Sequence, residues 1–240
     1  MKTFTKITAI LLLVLTTTSC FVDGLAGIKG NGDVVTEDRT IHSNFNSIKV
    51  QQGIQVFLTQ GNSTELRVEA DKNIIDLLIT EVKNNELKIY FEKNVYKAKS
   101  RNVYLTANEI SKIKTSSGAL VKTENTIETN TIELDSSSGS SIKVTVNANE
   151  ISSSSSSGAN INVYGKAKLF SASASSGSSI DADKLETINT TAKVSSGANI
   201  DVNVSGKLVA KASSGGSIDY EGNPTEVNKD TSSGGSVSGS

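Results

Sequence analysis

Four kinds of side chain in this sequence could do chemistry, and their spacing limits what that chemistry is. Cys20 is the only cysteine. It follows Thr17-Thr18-Ser19, an apolar run from Ile7 to Leu15, and two basic residues, Lys2 and Lys6. Small residues before a lone cysteine at the end of a short apolar core read as a lipobox, in which the thiol is acylated and becomes N-terminal. The run is too short to span a bilayer, which takes about 20 apolar residues. With that thiol acylated, disulfides, cysteine nucleophiles and thiolate metal sites have no source. His42 is the only histidine. A Ser-His-Asp triad would have to include it, and zinc sites draw on several His or Cys ligands. An ordinary surface histidine is expected.

The third set is acidic. Asp181, Asp201 and Asp219 each lie four residues after the glycine of a recurring Ser-Ser-Gly, where the preceding unit has Asn162. Asp183 and Glu221 lie two residues further on. Units stacked in register at about 4.8 Å would align these carboxylates in a ladder, an arrangement that like charges disfavour. A divalent cation such as calcium, held by oxygen ligands, would relieve it. The Gly-Gly-x-Gly-x-Asp calcium repeat is absent, so a solvated acidic face is expected, with Asp181, Asp183, Asp201 and Asp219 the only candidate cation site and no cofactor implied. The fourth set is basic: Arg39, Arg67 and Arg101 could seat an anionic partner, but their dispersion reads as ordinary surface.

These side chains must be positioned by strands. The glycines of Ser-Ser-Gly are Gly118, Gly139, Gly158, Gly177, Gly197, Gly215 and Gly234, at intervals of 18 to 21 residues. Self-similarity at such a period marks a solenoid. Three residues after each glycine stands Val or Ile, from Val121 to Val237. Seven before it, Ile132, Ile151, Phe170, Leu208 and Val227 recur, with Ser111 and Thr190 the exceptions. Every second residue between them is Ser or Ala (Ser153, Ser155, Ala172, Ala174), which puts small residues inside and Asn162 or Asp181 outside. Only small residues let two sheet layers approach closely, so a flattened coil of about 19 residues is predicted, its buried serines hydrogen-bonded up and down the column. Before residue 110 the strands are bulkier: Ile48–Val50, Ile54–Leu58, Leu66–Ala70, Leu87–Phe91 and Val103–Leu105. They are expected to start the same stack, with Lys72–Val82 as one short helix or turn. The expected organisation is a signal peptide over 1–19, a lipidated tether over 20–32 and one all-β solenoid over 33–240.

Phe45-Asn46-Ser47-Ile48-Lys49-Val50, Gly53 to Gly61, Leu66 to Ala70 and Glu81 to Ile89, followed by the Ser-Ser-Gly units, resemble the head GIN domain, a family of exported adhesin-type proteins of Bacteroidetes-type bacteria. The likeness runs from about Gly32 to Gly234. It implies a right-handed parallel β-helix-like fold, an envelope address and no catalytic residues to carry over. Removal of residues 1–19 leaves 22 basic against 25 acidic side chains, net −3, which gives no reason to seek nucleic acid. The function expected is non-enzymatic: a lipoprotein of the outer membrane, held there by its lipid, presenting a β-wall to a polysaccharide or protein. Two rivals are a carbohydrate-active β-helix enzyme, a lyase or hydrolase, and a structural envelope protein without a ligand. The sequence has no tryptophan and only scattered tyrosines such as Tyr164 and Tyr220, so no sugar-stacking platform is expected.

Overall fold

Alternation of apolar and polar residues runs through nearly every segment, and those segments fold as strands. The structure, a computed structural model, describes residues 27–239; the leader over 1–19, Cys20 and the first part of the tether lie outside the described residues. The first half supplies β1 (Ile28–Lys29), β2 (Val34–Arg39), β3 (Ser47–Val50), β4 (Gln55–Gln60), β5 (Glu65–Asp71) and β6 (Leu78–Lys83). It continues with β7 (Glu86–Phe91), β8 (Val95–Lys97) and β9 (Arg101–Ala107). The repeats supply β10 (Lys112–Thr115), β11 (Leu120–Thr123), β12 (Ile127–Ser136), β13 (Ser141–Ser155), β14 (Asn160–Ala174) and β15 (Ser179–Val194). The last coils are β16 (Asn199–Val204), β17 (Lys207–Ala212), β18 (Ser217–Glu221), β19 (Glu226–Thr231) and β20 (Ser236–Gly239). The fold is a β-solenoid of about 7 turns with coils about 19 residues apart.

Each coil has two walls. One wall runs β6, β7, β3, β10, the later parts of β12 to β15, then β17 and β19. The other runs β2, β5, β9, β4, β11, the earlier parts of β13 to β15, then β16, β18 and β20. The long strands bend from one wall to the other, and Ser-Ser-Gly turns the chain at the opposite edge. In that turn the second serine and the glycine both take left-handed conformations, as in Ser138 (φ 54°) and Gly139 (φ 67°). The Gly139 amide then donates to the Ser157 carbonyl of the next coil at 3.1 Å. Nothing crowds a Cβ at Gly139, so the backbone angle rather than space selects glycine there.

The cross-section is a wedge. At its wide part Ile132, Ile151, Phe170 and Leu208 are buried against Ile142, Ile161, Ile180, Ile200 and Ile218, each aliphatic contributing roughly 1.5–3 kcal/mol. Towards the Ser-Ser-Gly edge the walls converge on a buried column of Ala119, Ser140, Ala159, Ser178 and Ala198. The column ends in Gly235, where a Cβ would lie 2.4 Å from the Ala212 backbone. The buried hydroxyls do not form the expected continuous ladder. Thr115, Ser136 and Ser140 bond to one another at 2.9 Å. Beyond them Ser155 donates to Ala159 O, and Ser178 to Ser155 O and Ser175 O, while the buried Ser153 hydroxyl has no hydrogen-bond partner, against the expectation. Neighbouring coils put Ala172 or Ala174 where a ladder would need a hydroxyl, so the nearest acceptors are turn carbonyls.

The N-terminal strands begin the stack but not in sequence order. β3 and β4 lie inside it, between the coil of β10 and β11 and that of β7 and β9. Antiparallel β6 and β5 then close that end, with β2 outside β5. The β6–β7 hairpin turns on Asn84 and Asn85, both at positive φ, as a two-residue turn of that hand requires. The helix considered over Lys72–Val82 is only a 3-10 turn at Ile75–Leu77 running into β6. At Leu78 the backbone turns extended (φ −79°, ψ 108°) to pair with β7, and the Arg39 guanidinium donates to the Ile75 and Leu78 carbonyls. Ile28 and Lys29, within the expected tether, pair with β8, and the Gly32 amide donates to Asp71.

Candidate binding face

Parity decides which side chains the β4 wall shows to solvent, and register lines them up. On β9 and β4 the buried residues are Val103, Leu105, Val56 and Leu58, so the rings between them, Tyr104 and Phe57, must point outward. Outward aromatics flanked by buried aliphatics were the available sequence signal. Only the pairing, Phe57 with Tyr104 and Tyr104 with Arg67, shows that they meet. One row then crosses the wall as Asp38, Arg67, Tyr104, Phe57, Lys122, Lys143, Asn162, Asp181, Asp201, Asp219 and Ser238. It passes from aromatic and basic to acidic along a single face.

At the first end of this row the rings of Phe57 and Tyr104 stack, centroids 5.2 Å apart at 16°. The Arg67 guanidinium lies 4.7 Å from the Tyr104 centroid, within the range of a cation–π contact. A cleft of about 590 Å³ opens over this stack, bordered on one side by Thr40 and Ile41 after β2 and on the other by Glu124. Thr59, Thr106 and Glu65 also reach it. The sequence did not show this pair: two rings 47 residues apart are brought together by a parallel pairing, with both faces of Tyr104 covered, one by Phe57 and one by Arg67.

The three arginines have different fates. Arg39 is spent on the 3-10 turn and on Glu37, and Arg101 reaches back to the Gln52 carbonyl at 3.4 Å. Burial pushes the Arg101 pKa down, against the attraction of Asp71. Arg67 alone is exposed on the wall. Asp71, inside the fold, accepts from the amides of Gly32, Lys99 and Ser100. Burial alone would raise its pKa, but those three donors and the Lys99 charge hold it below the usual carboxylate range.

At the other end the acidic ladder is in register as expected, Asp181 facing Asp201 and Asp201 facing Asp219. With Asp183, Tyr220 and Glu221 they line a depression of about 430 Å³. Burial raises the Asp201 pKa, and the charges of Asp219, Asp181, Asp183 and Glu221 raise it further. Asp183 is raised by burial and by Asp181. The row supplies polar partners instead of cations: Asn162 donates to Asp181 at 3.1 Å and Ser238 to Asp219 at 2.6 Å. Among the described residues no three His, Cys, Asp or Glu side chains close into a metal-binding group. His42 is exposed in the loop between β2 and β3. Cys20 lies outside the described residues.

The described residues thus form a largely parallel β-solenoid that carries aromatic and charged side chains on an outer wall. Residues 44–224 match the family model described as "Putative auto-transporter adhesin, head GIN domain", and the chain belongs to that family. A "putative adhesin" from Bacteroides fragilis superposes with a TM-score of 0.83 at 21% identity, over 89% of this chain and 100% of that one. A "putative lipid binding protein" from Parabacteroides distasonis gives 0.71 at 20%, over 89% and 99%. A "putative adhesin" from Parabacteroides merdae gives 0.69 at 19%, over 89% and 98%. At these identities the likeness is one of fold. No curated protein matches the chain by sequence.

Proposed function

We propose that this protein is a non-enzymatic binding module of the cell envelope, held in the outer membrane by acyl chains on Cys20, that adheres to a polysaccharide or protein through the β4 wall. The observation that carries this is the cleft over Arg67, Tyr104 and Phe57, where antiparallel β2 and β5 join the wall and aromatic, basic and acidic groups line one opening. The family description and the adhesin-type neighbours support an envelope-exposed protein. The lipobox residues support the anchor, since each acyl methylene buried in a membrane contributes about 0.8 kcal/mol. The repeat supports multivalent contact: a partner engaging several identical rungs gains by effective concentration without any strong single contact.

The test is display of the full chain on a non-adherent bacterium, with retention measured on glycan- and protein-coated surfaces. Retention above that of cells lacking the protein, together with protease sensitivity on intact cells, is the expected result. Retention unchanged by the protein would overturn the adhesive reading. Steady cleavage of any offered glycan by the purified protein would move it to the enzymes.

A further inference from the structure

We propose that the cleft over Arg67, Tyr104 and Phe57 is a subsite for a neutral saccharide ring. This rests on the adhesive reading above and names the ligand class of that same wall. The lining selects by chemistry. Tyr104 is clamped between Phe57 on one face and Arg67 on the other, so the pair offers the cleft a rigid apolar ledge of ring edges. A pyranose matches such a ledge, with a patch of C–H bonds on one face and hydroxyls around its rim. Each hydroxyl both donates and accepts, and the cleft supplies both partners. The carboxylates of Glu65 and Glu124 accept, the Arg67 guanidinium donates, and Thr59 does either. Charge-assisted bonds of this kind are the stronger ones.

Other ligands fit less well. An anionic sugar or a phosphate would meet Asp38, Glu65 and Glu124, three carboxylates. They outnumber the two guanidiniums at the cleft, Arg67 and Arg39, and the donors of Arg39 already serve two carbonyls and Glu37. An acyl chain would lie against threonines and carboxylates whose hydration it could not replace. A basic peptide would be drawn by the carboxylates but would set its cation against Arg67 at the centre of the ledge. The cleft is open, so affinity is expected to be weak, in the millimolar range, and made useful by many copies on one cell.

The experiment uses the purified full chain titrated with neutral oligosaccharides of glucose, mannose and N-acetylglucosamine, and with an oligogalacturonate of matched length. Binding is followed by ligand-observed NMR and by tyrosine fluorescence, which no tryptophan obscures. At least one neutral oligosaccharide should bind saturably, with the uronate weaker by about fivefold or more. Arg67→Gln and Tyr104→Leu should each weaken binding about tenfold or more, while Lys193→Gln on the opposite wall leaves it unchanged. Glu65→Gln, an exposed change, serves as the cleft variant should Tyr104→Leu fail to fold. No saturable binding of any neutral oligosaccharide, tighter binding of the uronate, or insensitivity to the cleft variants would overturn the proposal. If displayed cells still adhere through the protein while the cleft variants behave as the parent, the subsite is wrong and the adhesive reading stands; loss of both refutes the two together.

Discussion

Replacing Asp201 by asparagine should stabilise the protein at neutral pH and leave it unchanged in acid. Asp201 sits between two carboxylates, Asp181 on one neighbouring strand and Asp219 on the other. Like charges directly opposed across strands each cost about 0.2–1 kcal/mol. The figure agrees with roughly 0.8 kcal/mol for two unit charges about 5 Å apart in water. Removing one charge from the middle of three relieves two such contacts, so the gain is about 0.5–1.5 kcal/mol in low salt. Asparagine fits the position: Asn162 occupies the same row two coils earlier and donates to Asp181. For a chain of this size, each kcal/mol moves the melting temperature by about 2–4 °C.

The sign with pH follows from the raised pKa. In the fold, burial and the neighbouring charges make the Asp201 carboxyl keep its proton at pH values where the unfolded chain has released it. Its contribution is therefore fully present below the unfolded value of 3.8 and is lost as pH rises through the folded value. The asparagine variant should melt with the parent at about pH 3 and a few degrees above it at pH 7, a gap that shrinks as salt screens the row. Thermal unfolding by circular dichroism at the two pH values and two ionic strengths measures this. No gain at pH 7 in low salt, or an equal gain at pH 3, would show that the row is not held under mutual repulsion.

Cys20→Ser should move the protein from the membrane to the soluble fraction; a variant as membrane-bound as the parent would disprove acylation. Ala174→Leu or Ser155→Leu, in the narrow part of the wedge, should cost about 1–3 kcal/mol by overpacking, while Asn162→Leu on the outer face stays nearly neutral. Equal losses at the two kinds of position would contradict the wedge. Asp71→Asn should cost about 2–4 kcal/mol, because three backbone amides lose a charged acceptor. With its pKa lowered in the fold, the parent's stabilisation by Asp71 is complete above 3.8 and is lost as pH falls below it. Millimolar calcium should leave the melting temperature unchanged; a rise of several degrees, abolished by Asp201→Asn, would make the ladder a cation site after all.

The repeats were legible because each coil states the same pattern twice over, in its period and in its parity. Ile142, Ile161, Ile180 and Ile200 are buried and in register as their spacing requires, and so Asp181, Asp201 and Asp219 had to align. Thr190, an exception in the sequence pattern, is buried like its counterparts because its hydroxyl finds Thr187 at 2.8 Å. The N-terminal half was legible as strands but not as an order of strands. Nothing local tells β3 to lie between β7 and β10, since those pairings join segments 39 and 65 residues apart. The helical spacing at Ile74, Ile75 and Leu78 was real, but the antiparallel pairing of β6 with β7 takes the chain into a strand from Leu78.

The same contrast explains why the cleft lies where it does. A strict repeat makes each rung a copy of its neighbour, so its outer face is flat and its charges add in rows, as in the ladder from Asp181 to Asp219. Concavity and mixed chemistry need strands that differ and a segment that rises above the wall. Only the first half provides both, by setting antiparallel β2 and β5 beside parallel β9 and β4. At the far end one rung departs from the pattern. Lys229 takes the inward position that Leu134, Ser153, Ala172, Ala192 and Ala210 hold in earlier coils. Its ammonium lies 4.8 Å over the Tyr220 ring and donates to the Val237 carbonyl.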